Sequence, residues 1–295
     1  MEFDLQPGKY VVAVSGGVDS VTLLDLLTQL PGLYLVVAHY EHGIRNDSLE
    51  DLYLVRELAH GYGLPFVYRR GYLGHNASEA VARQARYEFL HHALRASGSR
   101  AIITAHHQDD LLETTVLNLL RGTGRRGLSS LKSTDVIKRP LLHLTKDELT
   151  RYAEQEKLRW REDSTNADER YLRNYIRHRI MPRFASSDKE ALLALIEQTA
   201  DLNKRIEQQA ANYLHVQPAS GTLDRYSFIM LPHAVAREII AEWLLSNTGA
   251  ELSRKLIERL VVAAKTNRSG SRIDINAGYL LEIGRSRLAL KHRER

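Results

Sequence analysis

Short runs of apolar and β-branched residues recur through the first half of the chain, each followed by a stretch with helical spacing. Residues 10–15 (YVVAVS) form the first such run and end on Gly16 and Gly17. Leu23, Leu24, Leu26, Leu27 and Leu30 then follow at intervals that line one side of a helix. Residues 33–39 (LYLVVAH) read as a second buried strand, with a helix expected from about 48 to 62. Residues 65–70 read as a third strand with a helix over about 78–96, and 100–105 as a fourth with a helix over 111–120. Strands alternating with helices predict an α/β fold, a parallel sheet with helices on both faces, and a ligand site beyond the carboxyl ends of the strands.

After Pro140 the pattern turns mostly helical. A helix is expected over 145–156, where Thr145 stands as cap and Glu148 completes a capping box. Others are expected over about 169–181, ending near Pro182, and over 188–213. Residues 216–223 (VQPASGTL) have turn composition. Helices near 233–245 and 253–265 and short strands near 272–275, 279–283 and 287–290 complete a small α+β region. The expected division is a catalytic domain over 1–185, a linking helix over 186–215 and a small α+β domain over 216–295.

Composition narrows the classes. A chain of 295 residues allows one large domain or two ordinary ones, and 41 Lys plus Arg against 36 Asp plus Glu give a net charge of only +5. Such an excess matters for nucleic acid only where it clusters. There is no cysteine, which excludes disulfides, thiolate zinc sites, iron–sulfur clusters and a cysteine nucleophile within these residues. The acidic start, Met1 to Asp4, opens onto a strand and is not expected to be a secretory signal. No apolar run approaches the ~20 residues that cross a bilayer. A cytoplasmic location without a membrane partner is therefore expected.

Ser15, Gly16, Gly17, Val18, Asp19 and Ser20 fill the first strand–helix junction. Glycines let the backbone turn tightly and bring N–H groups at a helix start toward an anion. There is no Walker lysine. SGGVDS resembles the pyrophosphate loop of the N-type ATP pyrophosphatases, which cleave ATP between its α- and β-phosphates. The resemblance implies that these six residues cradle pyrophosphate and that Mg2+ accompanies ATP.

Thr104 to Asp110 (TAHHQDD) closes the fourth strand, and Glu113 follows on the helix. Asp109, Asp110 and Glu113 are spaced to project from neighbouring positions of its first turn. Simple complementation of the helix dipole, a divalent-metal site using the histidine pair, and a pocket for a cation are the competing readings. Further segments converge on one family: residues 38–45 (AHYEHGIR), Arg83 to Tyr87 (RQARY), residues 162–166 (EDSTN) and residues 171–177 (YLRNYIR). With HHQDDLLET, these resemble the tRNA(Ile)-lysidine synthetase family over residues 11–182. Ser130 stands where that pattern carries glycine. A further carboxyl-terminal module of longer members is not expected here.

The resemblance implies an ATP-dependent carbon–nitrogen ligase. The wobble cytidine of a minor isoleucine tRNA is adenylated, and free L-lysine then displaces AMP through its ε-amine. By the same resemblance Asp19, Asp109, Asp110 and Glu113 are catalytic, and Ala38, His39, Arg86 and His106 join the loop in binding ATP. Asp109 and Glu113 are assigned to lysine, and Asp19 and Asp109 to Mg2+, with the roles within the acidic cluster left undivided. Arg83, Arg121, Arg125, Arg126, Arg173 and Arg177 are the expected tRNA contacts, solvated helix faces being the alternative. Basic residues toward the end (Arg268, Arg272, Arg285, Arg287, Lys291, Arg293, Arg295) extend that surface. A second copy of the chain is a further candidate partner. The rivals are a tRNA thiolase of the same superfamily, disfavoured by the lack of cysteine, and a non-catalytic RNA-binding protein.

Overall fold

A computed structural model of the chain describes residues 3–43, 48–71, 79–162, 172–216, 221–249, 253–276 and 278–292. Of the residues singled out above, Ile44, Arg45, Asp163, Ser164, Thr165, Asn166, Tyr171, Arg293 and Arg295 lie outside them. Two compact units form, Met1–Glu197 and Gln198–Arg295.

The first unit is built on five parallel strands: β1 (Gly8–Ala13), β2 (Leu33–Glu41), β3 (Phe66–Arg70), β4 (Ala101–Ile103) and β5 (Ile137–Lys138), in the order β3-β2-β1-β4-β5. The apolar runs are nearly continuous because both faces of the sheet are covered. Tyr10, Val12, Leu35 and Val37 face one side, where they pack with Leu23, Leu24 and Leu27 of α1 (Val18–Thr28), Val55 of α2 (Ser48–Gly61) and Leu149 of α6 (Lys146–Gln155). Val11, Val36, Ala38 and Ile102 face the other, against Phe89, Leu90 and Ala93 of α3 (Glu79–Ser97).

Strand order reverses at β1, so the loops after β1 and β4 emerge side by side at the carboxyl edge, the place where open α/β sheets bind ligands. The two-residue β5 is an addition to the four strands expected; it is too short for periodicity to mark. Beneath the sheet the Asp25 carboxylate accepts hydrogen bonds from Tyr62 Oη (2.6 Å), Tyr152 Oη (2.7 Å) and Gln29 Nε2 (2.9 Å), tying α6 to α1. Burial and the bond to Asp25 push the Tyr152 phenol up to about 12.

Helix α4 (Gln108–Leu120) begins three residues earlier than its apolar pattern suggests, with His107 as N-cap and the Asp110 carboxylate accepting from His107 N (3.1 Å). A short helix α5 (Arg125–Leu128) follows in the glycine-rich loop. Thr145 and Glu148 form the expected capping box at α6. Helix α7 (Leu172–Tyr175) runs into a π-helical turn (Ile176–Ile180) and packs on α4 through Ile176, Leu112 and Val116.

Helix α8 (Ser186–His215) carries the boundary between the units. The second unit has a four-stranded antiparallel sheet, with β6 (Thr222–Asp224), β7 (Ser271–Asp274), β8 (Tyr279–Ile283) and β9 (Arg287–His292) in the order β6-β9-β8-β7. Helices α9 (Arg225–Met230), α10 (His233–Thr248) and α11 (Arg254–Thr266) cover it around Phe228, Trp243, Leu260 and Leu288. Part of the segment read as a turn is thus the edge strand β6. The Arg225 guanidinium donates to the carbonyls of Ala264, Asn267 and Gly284, fastening α11 to the β8–β9 turn.

Candidate active site

The loop after β1 is held by its own side chains. Ser20 Oγ accepts from the main-chain N–H of Ser15 (3.1 Å) and Gly16 (3.2 Å) and donates to Gly17 O (2.9 Å). Gly16 has φ +98°, which side-chain-bearing residues rarely adopt, and its carbonyl accepts from Arg161 N at 3.0 Å. A Cβ on Gly17 would meet Ser15 Oγ at 3.6 Å and Arg161 O at 3.9 Å, ordinary van der Waals contact without a clash. N–H groups at the start of α1 suit an anion. The Arg161 side chain is turned away to Asp51 (2.9 Å) and Glu50.

Facing this loop stands the start of α4, where the acidic residues divide into two groups around buried His107. Asp109 Oδ2 accepts from Lys146 N (2.8 Å) and lies 3.5 Å from His107 Nδ1, while Lys146 Nζ donates to Asp19 Oδ1 (2.6 Å) and His107 Nε2 lies 3.7 Å from Asp19 Oδ2. The loop and the acidic turn are therefore joined through Lys146 and His107. The second group points to α7: Asp110 takes Arg173 Nη2 (2.7 Å), and Glu113, only 2% exposed, takes Arg173 Nε (3.1 Å), Arg177 Nε (2.6 Å) and Arg177 Nη2 (2.9 Å).

Charge follows from these contacts. His107, with Nδ1 3.5 Å away, holds the Asp109 carboxyl down at about 2, helped by Lys146 N and opposed by burial. Burial raises Asp110, but the neighbouring His107 and Arg173 outweigh it and leave it lowered. His107 shows the same contest in reverse: burial lowers it, and the nearby carboxylates of Asp109, Asp110 and Asp19 raise it overall. His106 turns the other way, with Nδ1 2.8 Å from Thr104 Oγ1, and burial drives it down to about 3, so it is neutral near pH 7. His39 Nδ1 donates to Val14 O (2.8 Å); burial lowers its pKa, and its Nε2 is buried without a partner.

Other expected residues sit around this centre. Ala38 is buried on β2, and its carbonyl accepts from Val14 N. Arg83 and Arg86 flank the Tyr87 ring at 4.8 and 5.5 Å; Arg83 is exposed, whereas Arg86 is half-buried and its charge lies near His106. Arg121 is exposed and Arg125 and Arg126 half-buried on the loop that Asn118 Nδ2 fastens through Gly127 O (2.7 Å) and Ser130 Oγ (3.0 Å). The Ser130 hydroxyl thus has a bonding role that glycine lacks. Arg173 and Arg177 share one helix face as their spacing requires, and that face meets carboxylates. Sequence reasoning missed Lys146 as a site residue, since its capping box locates the helix start but not the partner across the cleft. Among the described residues no three of His, Asp and Glu converge as metal ligands, and no helix is long and apolar enough to cross a membrane.

Comparisons with known proteins agree with this geometry. The PP-loop domain model matches residues 2–184. A tRNA(Ile)-lysidine synthase of Thermotoga sp. is 30% identical over 98% of this chain and 73% of its own length. Those of Solibacter usitatus and Thermus thermophilus are 35% and 41% identical over 89% and 70% of this chain, and over 58% and 42% of their own. The chain spans about half the length of most of the curated relatives it matches. Among solved structures, the U34-tRNA thiolase NcsA of Methanococcus maripaludis is similar at a TM-score of 0.55 and 18% identity, over 67% of this chain and 73% of that one, which is a likeness of fold.

Proposed function

The chain belongs to the tRNA(Ile)-lysidine synthase family of PP-loop proteins, and from that premise we propose that it adenylates the wobble cytidine of a minor isoleucine tRNA with ATP and then couples free L-lysine to it. One observation carries the reading: the glycine loop and Asp109 are joined through Lys146 at the point where strand order reverses.

In this account the triphosphate lies over the carboxyl edge with its β- and γ-phosphates against the N–H groups of the Ser15–Ser20 loop. Buried His39 offers a lone pair, and His106 an uncharged imidazole, to the nucleoside. The C2 oxygen of cytidine attacks the α-phosphorus, and pyrophosphate departs. The lysine ε-amine then attacks C2 and AMP leaves with the oxygen. Adenylation turns a poor leaving oxygen into a good one, so the protein's share is positioning and charge stabilisation. Asp109, ionised at any working pH, suits the ammonium of lysine and can orient it toward C2. Glu113 and Asp110, already held by Arg173 and Arg177, support that turn of α4.

Mg2+ is held elsewhere by one or two carboxylates together with substrate phosphates rather than by an all-protein cage. The pair Asp19 and Asp109, both bonded to Lys146, fits that donor set, and the ion would neutralise phosphate charge. Exposed Arg121 and Arg83, with Arg125 and Arg126, supply cations for the tRNA backbone, and the second unit adds Arg268, Arg285, Arg287 and Lys291. The reaction belongs in the cytoplasm.

The test is pyrophosphate release by purified protein given ATP and transcribed minor isoleucine tRNA without lysine. Release with that tRNA and none with methionine tRNA is expected. Equal release with both, or none with either, contradicts the reading.

A further inference from the structure

We propose that Lys146 is a catalytic residue: its ε-ammonium supplies the cation that the glycine loop itself lacks and meets the negative charge of the departing pyrophosphate. The inference rests on the adenylation reading above and adds a residue to it.

Lys146 is the first residue of α6, and the Thr145–Glu148 capping box fixes that helix start. Its main chain and side chain do different work. The N–H donates to Asp109 at 2.8 Å, and Gln108 N donates to Leu144 O at 2.8 Å, so the starts of α4 and α6 are sewn together by backbone. The ammonium crosses to the phosphate loop and rests on Asp19 Oδ1 at 2.6 Å. Asp19 is the second residue of α1, two positions after Gly17.

A structural salt bridge is the plain alternative. The Lys146 side chain is 43% exposed and that of Asp19 28%, and ion pairs so accessible to water contribute little to stability. Such a contact is cheap to exchange. Lysine carries a compact charge on a four-carbon stem with three donors, so the ammonium can leave the carboxylate for an incoming phosphate oxygen without moving α6. SGGVDS has no lysine of its own, and Arg161, the other long cation at the loop, is turned to Asp51 and Glu50. In the step served, an oxygen nucleophile forms a bond to the α-phosphorus while the bond from that phosphorus to the α,β-bridging oxygen breaks. The electron pair stays on that oxygen, and the charge gained by pyrophosphate is what Lys146 offsets.

The two roles separate by mutation, because Lys146→Ala keeps the N–H to Asp109 and removes only the ammonium. Wild type, Lys146→Ala, Lys146→Arg and, as control, the exposed Arg151→Ala on the same helix are compared. The readouts are calorimetric affinity for inorganic pyrophosphate, single-turnover pyrophosphate release with ATP and tRNA, KM for lysine, and melting temperature. Lys146→Ala is expected to weaken pyrophosphate binding about tenfold or more and slow release about a hundredfold. Its KM for lysine and melting temperature should stay those of wild type. Lys146→Arg should recover most of both losses, and Arg151→Ala should lose nothing. Unchanged pyrophosphate affinity and release in Lys146→Ala, or a loss that arginine does not restore, would overturn the assignment. A wild type that binds pyrophosphate through Lys146 yet consumes no ATP with tRNA would instead sink the adenylation reading and leave the phosphate role of Lys146 standing.

Discussion

Asp19 and Asp109 meet through the same two partners, Lys146 and His107, although 89 positions of sequence lie between them. Each is partly exposed, so its replacement removes charge from the cleft without opening a core. Asp19→Ala and Asp109→Ala are expected to abolish turnover and leave the fold intact, measured as product formation beside far-ultraviolet circular dichroism. Full activity in both would refute the site. The buried histidines predict a pH signature. His106, ordinarily near 6.5, is held by burial at about 3, and His39 is lowered for the same reason. The folded state then binds fewer protons than the unfolded chain, so stability falls as pH drops below 6.5, for His106 down toward 3, by at most about 1.4 kcal/mol per pH unit for each group. His107 is raised instead, so its contribution is complete below 6.5 and is lost as pH rises past that value. Urea titrations at pH 7, 5 and 4 should show the acid loss, and His106→Asn should flatten it. A variant that keeps the full slope would contradict the assignment.

What could be read from the sequence differs by element, for physical reasons. Strands β1 to β4 announced themselves because both faces are buried and the runs are apolar throughout, and the loops after β1 and β4 carried the informative motifs. The two-residue β5, the four-residue α5 and the edge strand β6 are shorter than any period that would mark them. Spacing also placed Arg173 and Arg177 on one face of a helix without saying what that face meets. A phosphate track was the expectation; the partners in the fold are Asp110 and Glu113. That pairing has an energetic consequence at the α4–α7 contact. Glu113→Ala removes the carboxylate that Arg173 and Arg177 share and leaves both guanidinium groups to Asp110, and removal of one partner from a buried cluster should cost about 3 kcal/mol in urea unfolding. A loss below about 0.5 kcal/mol would mean that the clamp is a solvated contact. Lys146 was hidden for a related reason: a cap can be recognised locally, whereas a contact across 127 positions cannot.

At the scale of the molecule, the chain forms one unit that carries the PP-loop domain and a smaller α+β unit with exposed Arg268, Arg285, Arg287 and Lys291. If the second unit grips tRNA, changing those four residues together to Ala should weaken tRNA binding in proportion to salt-sensitive charge. The slope of log affinity against log salt should fall by about 3 while ATP affinity stays constant. An unchanged slope would place the tRNA contacts in the first unit alone. The most direct test of the whole account follows radiolabelled L-lysine into transcribed minor isoleucine tRNA with purified protein. The account predicts label in that RNA, dependent on ATP, absent with methionine tRNA and lost in Asp109→Ala. ATP consumed with no label in RNA, or label in both tRNAs alike, would contradict it.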